Sequence, residues 1–160
     1  MLYLRPHNTW SASGAAIYLP KAATTLRMAG TIGVLIGHFN QIAGYVAVND
    51  VSIPHASYYR PAIRQRCRDG FCVIGSETMD RKPREIRISI DNELRCRANT
   101  EDLVRPIDRL IADISEFLTL QPGDIVLAGE PPDAPLAKAG DRVRVEVEGL
   151  AAIENEVVPE

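Results

Sequence analysis

The chain has 160 residues, of which 46% are hydrophobic and 24% are charged, as expected for a single globular domain with a buried core. A formal net charge of −3 gives no basic surface for nucleic acid, and no apolar run approaches the roughly 18 residues needed to cross a bilayer. Arg5 and Pro6 come too early for a signal peptide, so we expect a cytoplasmic protein. Three cysteines without a CxxC pair predict free thiols and no zinc site.

The first half of the chain predicts strands. Residues 15–20 predict a short strand, and residues 24–37 predict a long one with a glycine kink or bulge, because β-branched and small residues dominate there. The apolar run 42–50 predicts a strand buried on both faces, or nearly so. Residues 71–75 predict another short strand.

The pattern in residues 84–97 predicts a β-hairpin. Isoleucine alternates with polar residues on its first arm, which indicates a half-buried strand. Asp91-Asn92 then supplies the turn.

The next segment changes to helical spacing. Apolar residues from Leu103 to Phe117 recur on one face, which predicts an amphipathic helix. Asn99 or Thr100 is a plausible N-cap, and Pro106 would fall in the first turn, where proline is tolerated.

Two turns introduce the last predicted strands. The turn at 121–124 precedes strand 125–129, and the turn at 139–141 precedes strand 142–149. One main helix among many strands predicts an α+β domain that is mostly β.

Asp50 ends the buried run 42–50, and the segment after it is polar. A carboxylate at this place either caps a turn or acts on a ligand, and the residues leave both open. His55 is either an exposed loop residue or a group that reaches the same cleft. Tyr58 and Tyr59 either pack at a strand edge or donate protons.

Several arginines follow within one short stretch. Arg60, Arg66 and Arg68 either form a solvated face or pair with Asp69 and Glu77, or they bind substrate carboxylates through their planar guanidinium groups. The second alternative suits a ligand with two or three carboxylates.

Five motifs in order carry a family resemblance. The stretches "GYVAVNDVS", "LIADISEFLTLQPGDIVLAGEP" and "AGDRVRVEVEGLAAIENEVV" resemble the carboxy-terminal region of the fumarylacetoacetate hydrolase family. The match runs in order over nearly the whole chain. The stretch "SYYRPAIRQRCRDGFCVIG" resembles the isomerase/decarboxylase branch that acts in 4-hydroxyphenylacetate (homoprotocatechuate) catabolism, in particular its amino-terminal half or subunit.

This resemblance implies a mixed β-sandwich roll and a divalent metal, usually Mg²⁺. It implies decarboxylation of 5-oxopent-3-ene-1,2,5-tricarboxylate and isomerisation of 2-hydroxyhepta-2,4-dienedioate. Both reactions pass through enolate-like charge, which a metal chelated by the substrate stabilises as a Lewis acid. It further implies a single domain over residues 1–160, with the family's lid region expected upstream of Met1.

The chain departs from the family pattern at the residues that are expected to carry the chemistry. Asp50 matches the aspartate of the family's Asn-Asp motif, but Ala29 and Thr31 stand where the Glu-x-Glu carboxylates belong. Arg66, three residues before Asp69, stands for the family's lysine. The chain keeps only one of the family's three carboxylate ligands, which predicts weak Mg²⁺ binding or none.

The motif Gly-Thr-Pro becomes Gly129-Glu130-Pro131. Glu130 is therefore either a surface loop residue or a carboxylate that has moved into the site. The candidates that the resemblance assigns to catalysis are Arg66, Asp69 and His55, with Asp50 as the one metal-ligand candidate. The candidates for substrate binding are Arg60, Arg68, Tyr59 and Glu130.

Two functions remain open from the sequence. The chain is either a catalytic subunit of the isomerase/decarboxylase or a metal-poor, non-catalytic partner of a sibling subunit. A third alternative, acylpyruvate-type hydrolysis, requires an activated water and is less favoured. Long strands leave edges that need covering, so we expect a homodimer or hetero-oligomer. The expected small-molecule ligand is an oxo- or hydroxy-dienoate carboxylate.

Overall fold

The structure, a computed structural model, describes residues 2–55 and 62–160, and in this part of the chain eleven strands form two mixed sheets. The strands are β1 (Trp10–Ala12), β2 (Ile17–Leu19), β3 (Leu26–Ile36), β4 (Ile42–Ser52), β5 (Cys72–Met79), β6 (Glu85–Ile90), β7 (Glu93–Asn99), β8 (Ile125–Leu127), β9 (Leu136–Ala137), β10 (Arg142–Val147) and β11 (Ile153–Pro159). The α-helices are α1 (Ile63–Arg66) and α2 (Ile107–Ser115). The predicted class, mostly β with one main helix, is confirmed.

The first sheet is centred on the long hairpin of β3 and β4. Its strand order is β1-β5-β4-β3-β8, and β9 pairs with a different part of β3 from the part that pairs with β8. The β1–β5 pair is parallel and the others are antiparallel. The register of the β3–β4 pair shifts between Leu35 and Ile36, and the extra residue is Ala43. The bulge therefore lies in β4, not at a glycine of β3 as predicted. β4 is buried along nearly its whole length, as its apolar sequence predicts.

The second sheet has the order β2-β11-β10-β6-β7. Its predicted hairpin, β6 and β7, turns at Asp91 and Asn92, whose φ angles of 51° and 65° lie in the left-handed region. Short polar side chains tolerate this conformation by bonding locally, which explains why these two residues form the turn.

The two sheets pack face to face, and their inner faces form the main core. At Gly30, in β3, a Cβ atom would lie 2.9 Å from Cγ1 of Ile88 and 2.9 Å from Cγ1 of Val145, both in the second sheet. Glycine therefore lets the sheets approach each other closely at this point.

α2 begins later than its sequence pattern predicts. Pro106 has an extended backbone (φ −55°, ψ 146°) and precedes the first helical residue, so the predicted placement of Pro106 inside the helix is wrong. Asn99 instead caps a separate 3₁₀ turn, Thr100–Asp102, by accepting from the Glu101 N–H. The buried isoleucines of α2 form the predicted apolar stripe. No helix in the described ranges is long and apolar enough to cross a membrane.

Candidate functional site

The candidate site lies on the face of the first sheet that points away from the second sheet. Ala29 in β3 and Cys72 in β5 lie directly opposite Asp50 in β4, and residues paired across strands share one face. Alternate residues along each strand lie on the same face. On this face, two cross-strand pairs therefore flank the pair of Asp50 and Ala29. Thr31 lies opposite Val48 on one side, and Arg27 lies opposite Ser52 on the other.

Asp50 is almost completely buried, with 1% of its surface exposed, and its carboxylate accepts bonds from other side chains. Arg5 Nε donates to Oδ1 at 2.6 Å, and Arg5 Nη2 contacts the same oxygen. The Tyr3 hydroxyl contacts Oδ2. Arg5 Nη2 also donates to the Val51 carbonyl at 2.6 Å. Of the two alternatives from sequence, the turn cap is not what the structure shows: Asp50 lies within β4 and its oxygens bond to Arg5 and Tyr3.

Glu130 is the second carboxylate of the site. Arg66 forms an ion pair with it, Arg27 Nε lies 3.4 Å from its Oε2, and the Tyr3 hydroxyl lies 2.9 Å from its Oε1. The alternative in which Glu130 has moved into the site is thus the one that the structure shows. Arg66 Nη1 also lies 3.6 Å from Asp50 Oδ2, so the two carboxylates share one guanidinium group.

We call this group the arginine–carboxylate cluster; its members are Tyr3, Arg5, Arg27, Asp50, Arg66 and Glu130. Tyr3 lies at its centre. The guanidinium carbon of Arg66 is 4.2 Å from the Tyr3 ring centroid, and that of Arg5 is 5.6 Å away, so both cations contact the ring. The Tyr3 hydroxyl has one proton and therefore donates to one carboxylate at a time.

The cluster shifts the acidity of its own members. Burial raises the pKa of Asp50, while the charge of Arg5 and the bond from Tyr3 act in the opposite direction. Burial also raises the pKa of Tyr3, as do the charges of Asp50 and Glu130. For Glu130, burial raises the pKa, but the hydrogen bond and charge of Arg66 outweigh it and hold the pKa below its ordinary value. Burial next to Asp50 raises the pKa of the Cys72 thiol to about 12, so this cysteine is an inert neutral thiol.

The other predicted site residues lie in separate contacts. Asp69 is exposed and accepts from Asn8 Nδ2 at 2.7 Å. Arg68 pairs with Glu160 at 3.2 Å, and His55 Nδ1 lies 3.2 Å from the carbonyl oxygen of Ile53. The pairing of Arg66 and Arg68 with Asp69 and Glu77, one of the alternatives from sequence, is not what the structure shows. Tyr58, Tyr59 and Arg60 lie outside the described residues.

Three residues of the cluster were missed from the sequence: Tyr3, Arg5 and Arg27. Tyr3 and Arg5 alternate with Leu2 and Leu4, a two-residue period that was the available signal. The usual burial pattern, with apolar side chains inside and polar ones outside, is reversed here. The leucines are 53% and 68% exposed, whereas Tyr3 and Arg5 point into the site. Arg27 belongs to the cross-strand pair next to that of Asp50 on the same face, and no sequence motif marks its position.

A divalent metal ion does not fit the residues of this site. Oxygen ligands from several carboxylates hold such an ion, but Ala29 and Thr31 provide no carboxylate beside Asp50. The oxygens of Asp50 already accept from Arg5 and Tyr3. Within residues 2–55 and 62–160, no group of three histidine, cysteine, aspartate or glutamate side chains could hold a metal ion.

A cleft of about 500 Å³ lies beside the cluster. It opens where β8 and β9 leave part of β3 uncovered, and the loop between these two strands carries Glu130. Thr31 and Glu130 line it on the side of the cluster, and Arg97 and Arg105 line it elsewhere. A small molecule therefore has a route to Glu130.

Comparison with known families agrees with this architecture. The family model of the fumarylacetoacetate (FAA) hydrolase C-terminal domain matches residues 1–158. The chain belongs to the fumarylacetoacetate hydrolase family.

Relatives of this fumarylacetoacetate hydrolase domain include enzymes. The homoprotocatechuate catabolism bifunctional isomerase/decarboxylase of Escherichia coli is 40% identical over 99% of the chain and 40% of its own length. The chain spans about two fifths of the length of the curated bifunctional relatives that it matches.

Solved structures of the family share the fold. The 5-carboxymethyl-2-hydroxymuconate delta-isomerase of Mycobacterium smegmatis superposes with a TM-score of 0.89 at 28% identity, covering 99% of this chain and 68% of that one. Maleylpyruvate hydrolase from Sphingobium sp. SYK-6, in complex with manganese(II) and pyruvate, has a TM-score of 0.86 at 25% identity, covering 98% and 64%. Members of the family thus bind a divalent metal.

Proposed function

We propose that the chain is the metal-poor component of an enzyme that decarboxylates 5-oxopent-3-ene-1,2,5-tricarboxylate and isomerises 2-hydroxyhepta-2,4-dienedioate. In this proposal a sibling domain or subunit supplies the metal ligands, and the two associate as a hetero-oligomer. The supporting observation is the ion pair of Asp50 with Arg5 from the same chain. The similarity to the bifunctional isomerase/decarboxylases supports the choice of reaction.

Charge balance argues against metal-assisted chemistry by this chain alone. In a metal site the carboxylates neutralise the ion and leave open positions for substrate. Here Asp50 is neutralised by a guanidinium group, and its cross-strand neighbour Ala29 carries no ligand atom. A second cation would meet the positive charges of Arg5 and Arg66 within the same buried site.

Acid–base chemistry by the cluster alone is also disfavoured. An isomerisation moves a proton between carbon atoms, so it needs groups whose pKa values lie near the working pH. The lowered pKa of Glu130 makes it a weak base, and the raised pKa of Tyr3 makes it a weak acid. The same argument disfavours acylpyruvate-type hydrolysis, which needs a base to activate water. We infer that Glu130 and Tyr3 bind charge and do not transfer protons at neutral pH.

The remaining site predictions fit a binding role. Arg66 bridges both carboxylates and is the best-placed substrate-binding residue in the described part of the chain. Arg60 and Tyr59 remain predicted substrate contacts. Within residues 2–55 and 62–160, no contact favours catalysis by His55 or Asp69, or substrate binding by Arg68.

Turnover assays test this proposal. The purified chain, given either substrate with Mg²⁺ or Mn²⁺, is expected to show no change in substrate absorbance. Activity should appear when a sibling subunit that carries Glu-x-Glu is added. Turnover by this chain alone that is abolished in Arg66→Ala, and retained in the exposed helix variant Arg109→Ala, would show that the chain is itself the catalyst.

A further inference from the structure

Three buried polar atoms around Asp50 have no hydrogen-bond partner among the described residues. They are Arg5 Nη1, Arg66 Nε and Ser52 Oγ. The Arg5 side chain is only 6% exposed, and the whole of Ser52 is 1% exposed. Buried polar groups in folded proteins nearly always have partners, so several unpartnered ones around one site indicate a missing ligand.

The charges of the cluster indicate the sign of that ligand. Three guanidinium groups, from Arg5, Arg27 and Arg66, face two carboxylates, from Asp50 and Glu130. Among the described residues one positive charge is therefore in excess. The Arg5 and Arg66 side chains are 6% and 11% exposed, and that of Arg27 is 30% exposed. An excess buried charge is unfavourable unless an opposite charge joins it, so the missing ligand is an anion.

The hydrogen-bond donors of the cluster indicate the chemical class of this anion. Guanidinium groups present planar pairs of N–H donors that match a carboxylate, and the Ser52 hydroxyl next to Arg27 adds a further donor. Asp50 does not repel such a ligand, because Arg5 already neutralises it. The cleft lined by Thr31 and Glu130 borders the cluster on its Glu130 side.

We propose that Arg5 performs the electrostatic task of a divalent cation at Asp50 and that the site binds a small carboxylate without a metal. Arg27 and Arg66 hold the carboxylate, while Arg5 fixes Asp50 as a neutral pair beneath it. This inference rests on the proposed absence of metal ligation. It goes beyond the proposed function because it assigns a metal-independent ligand to the site.

Calorimetric titration with malonate in the presence of EDTA tests the inference. Saturable binding at one site is expected for malonate, and none for its neutral analogue malonamide. Arg66→Lys and Arg27→Lys each keep a positive charge but lose the planar fork, and should weaken malonate binding about tenfold or more. Arg109→Lys, on the exposed face of α2, is the matched control and should bind as the parent does.

Fluorescence of Trp10 provides a second readout. It is the single tryptophan, and its Nε1 donates to the Arg5 carbonyl at 3.3 Å. Malonate should change its emission with the same midpoint as the calorimetry. Far-ultraviolet circular dichroism of each variant confirms that lost binding is not lost folding.

Two results would overturn the inference. One is the absence of malonate binding in EDTA up to about 10 mM, or binding equally tight in Arg66→Lys. The other is malonate binding that appears only after Mn²⁺ is added. Turnover by the chain alone, with malonate binding in EDTA intact, would instead contradict only the proposed function.

Discussion

The buried pair of Arg5 and Asp50 determines how each residue of the site behaves. Removing two opposite charges from water costs free energy, and their attraction with well-placed hydrogen bonds offsets that cost. Asp50 is 1% exposed and the Arg5 side chain 6%, so neither can recover its hydration if the other is lost. The pair therefore contributes to stability mainly through the penalty for breaking it.

Replacing only one partner of this pair should be strongly destabilising. Asp50→Leu leaves the Arg5 guanidinium buried without a counter-charge, and we expect a loss of about 3–5 kcal/mol in the free energy of unfolding. The double variant Arg5→Met/Asp50→Leu should recover most of that loss, because it leaves neither Arg5 nor Asp50 buried without its counter-charge. Urea unfolding of the parent and the variants measures both values.

The exposed pair of Arg144 and Glu154 is the control, and Glu154→Leu should cost less than about 1 kcal/mol. If Asp50→Leu cost no more than this control, the description of Asp50 as a buried, neutralised carboxylate would be wrong.

The lowered pKa of Glu130 makes its contribution to stability depend on pH. Its ordinary pKa is 4.5, and the folded value is lower because of Arg66, so the ion pair stabilises the fold above pH 4.5. That contribution is lost as the pH falls through the folded pKa. Asp50 has the opposite sign, because its raised pKa means that protonation at low pH favours the folded state.

We therefore expect Glu130→Gln to be destabilising at pH 7 and progressively less so, relative to the parent, as the pH is lowered below 4.5. Urea unfolding of both proteins between neutral and acidic pH gives the difference. A difference that stays constant with pH would show that Glu130 contributes no charge pairing.

At the scale of elements, β3 has two separate roles. Gly30 and Ile32 face the second sheet, while Ala29 and Thr31 face the site. The strand thus connects the core to the site through alternate residues.

Gly30→Ala should destabilise the protein by about 1–3 kcal/mol, because its Cβ would overlap Ile88 and Val145 across the sheets. Thermal or urea unfolding measures the change. Gly30→Ala/Val145→Ala should be less destabilised than the sum of the single variants, since Val145→Ala removes one clash. Strict additivity would contradict a close approach of the sheets at Gly30.

Strands with a long sequence pattern were mostly predicted. The alternation in β6 and β10 and the apolar run of β4 are local signals, and the structure has these strands close to the predicted places. β1 and β9 have three and two residues, too few to show a period, whereas β11 was not predicted although its buried residues alternate. α2 was predicted to be too long, because the spacing of apolar residues does not reveal that Pro106 has an extended backbone.

The site was predictable only in part, for a similar reason. Asp50, Arg66 and Glu130 stand at positions that the family pattern marks, and the structure brings them together. Arg5 lies 45 positions from Asp50 along the chain, and Tyr3 lies 127 positions from Glu130. Contacts over such separations depend on the tertiary fold, which local sequence signals do not specify.

At the scale of the whole molecule, the fold and the site are separable. The main core lies between the two sheets, and the cluster lies on the other face of the first sheet. Side chains on the site face can therefore change while the sandwich keeps its packing. This explains how a chain with Ala29 and Thr31 in place of carboxylates retains the family fold.

The stability of the whole protein should accordingly be independent of metal. A ligand that binds only the folded state raises the unfolding temperature. We expect the thermal midpoint to be the same in EDTA and in about 1 mM Mn²⁺ and to rise with malonate. A clear upward shift with Mn²⁺ that EDTA reverses would contradict this expectation.

Calorimetric titration of the purified parent chain and of the Asp50→Ala variant with Mn²⁺ measures whether Asp50, paired with Arg5, can bind a metal ion. We expect no saturable Mn²⁺ binding in the parent protein, because Arg5 already neutralises Asp50 and no second carboxylate stands beside it on β3. Micromolar Mn²⁺ binding that disappears in Asp50→Ala would show that the pair with Arg5 does not replace a metal.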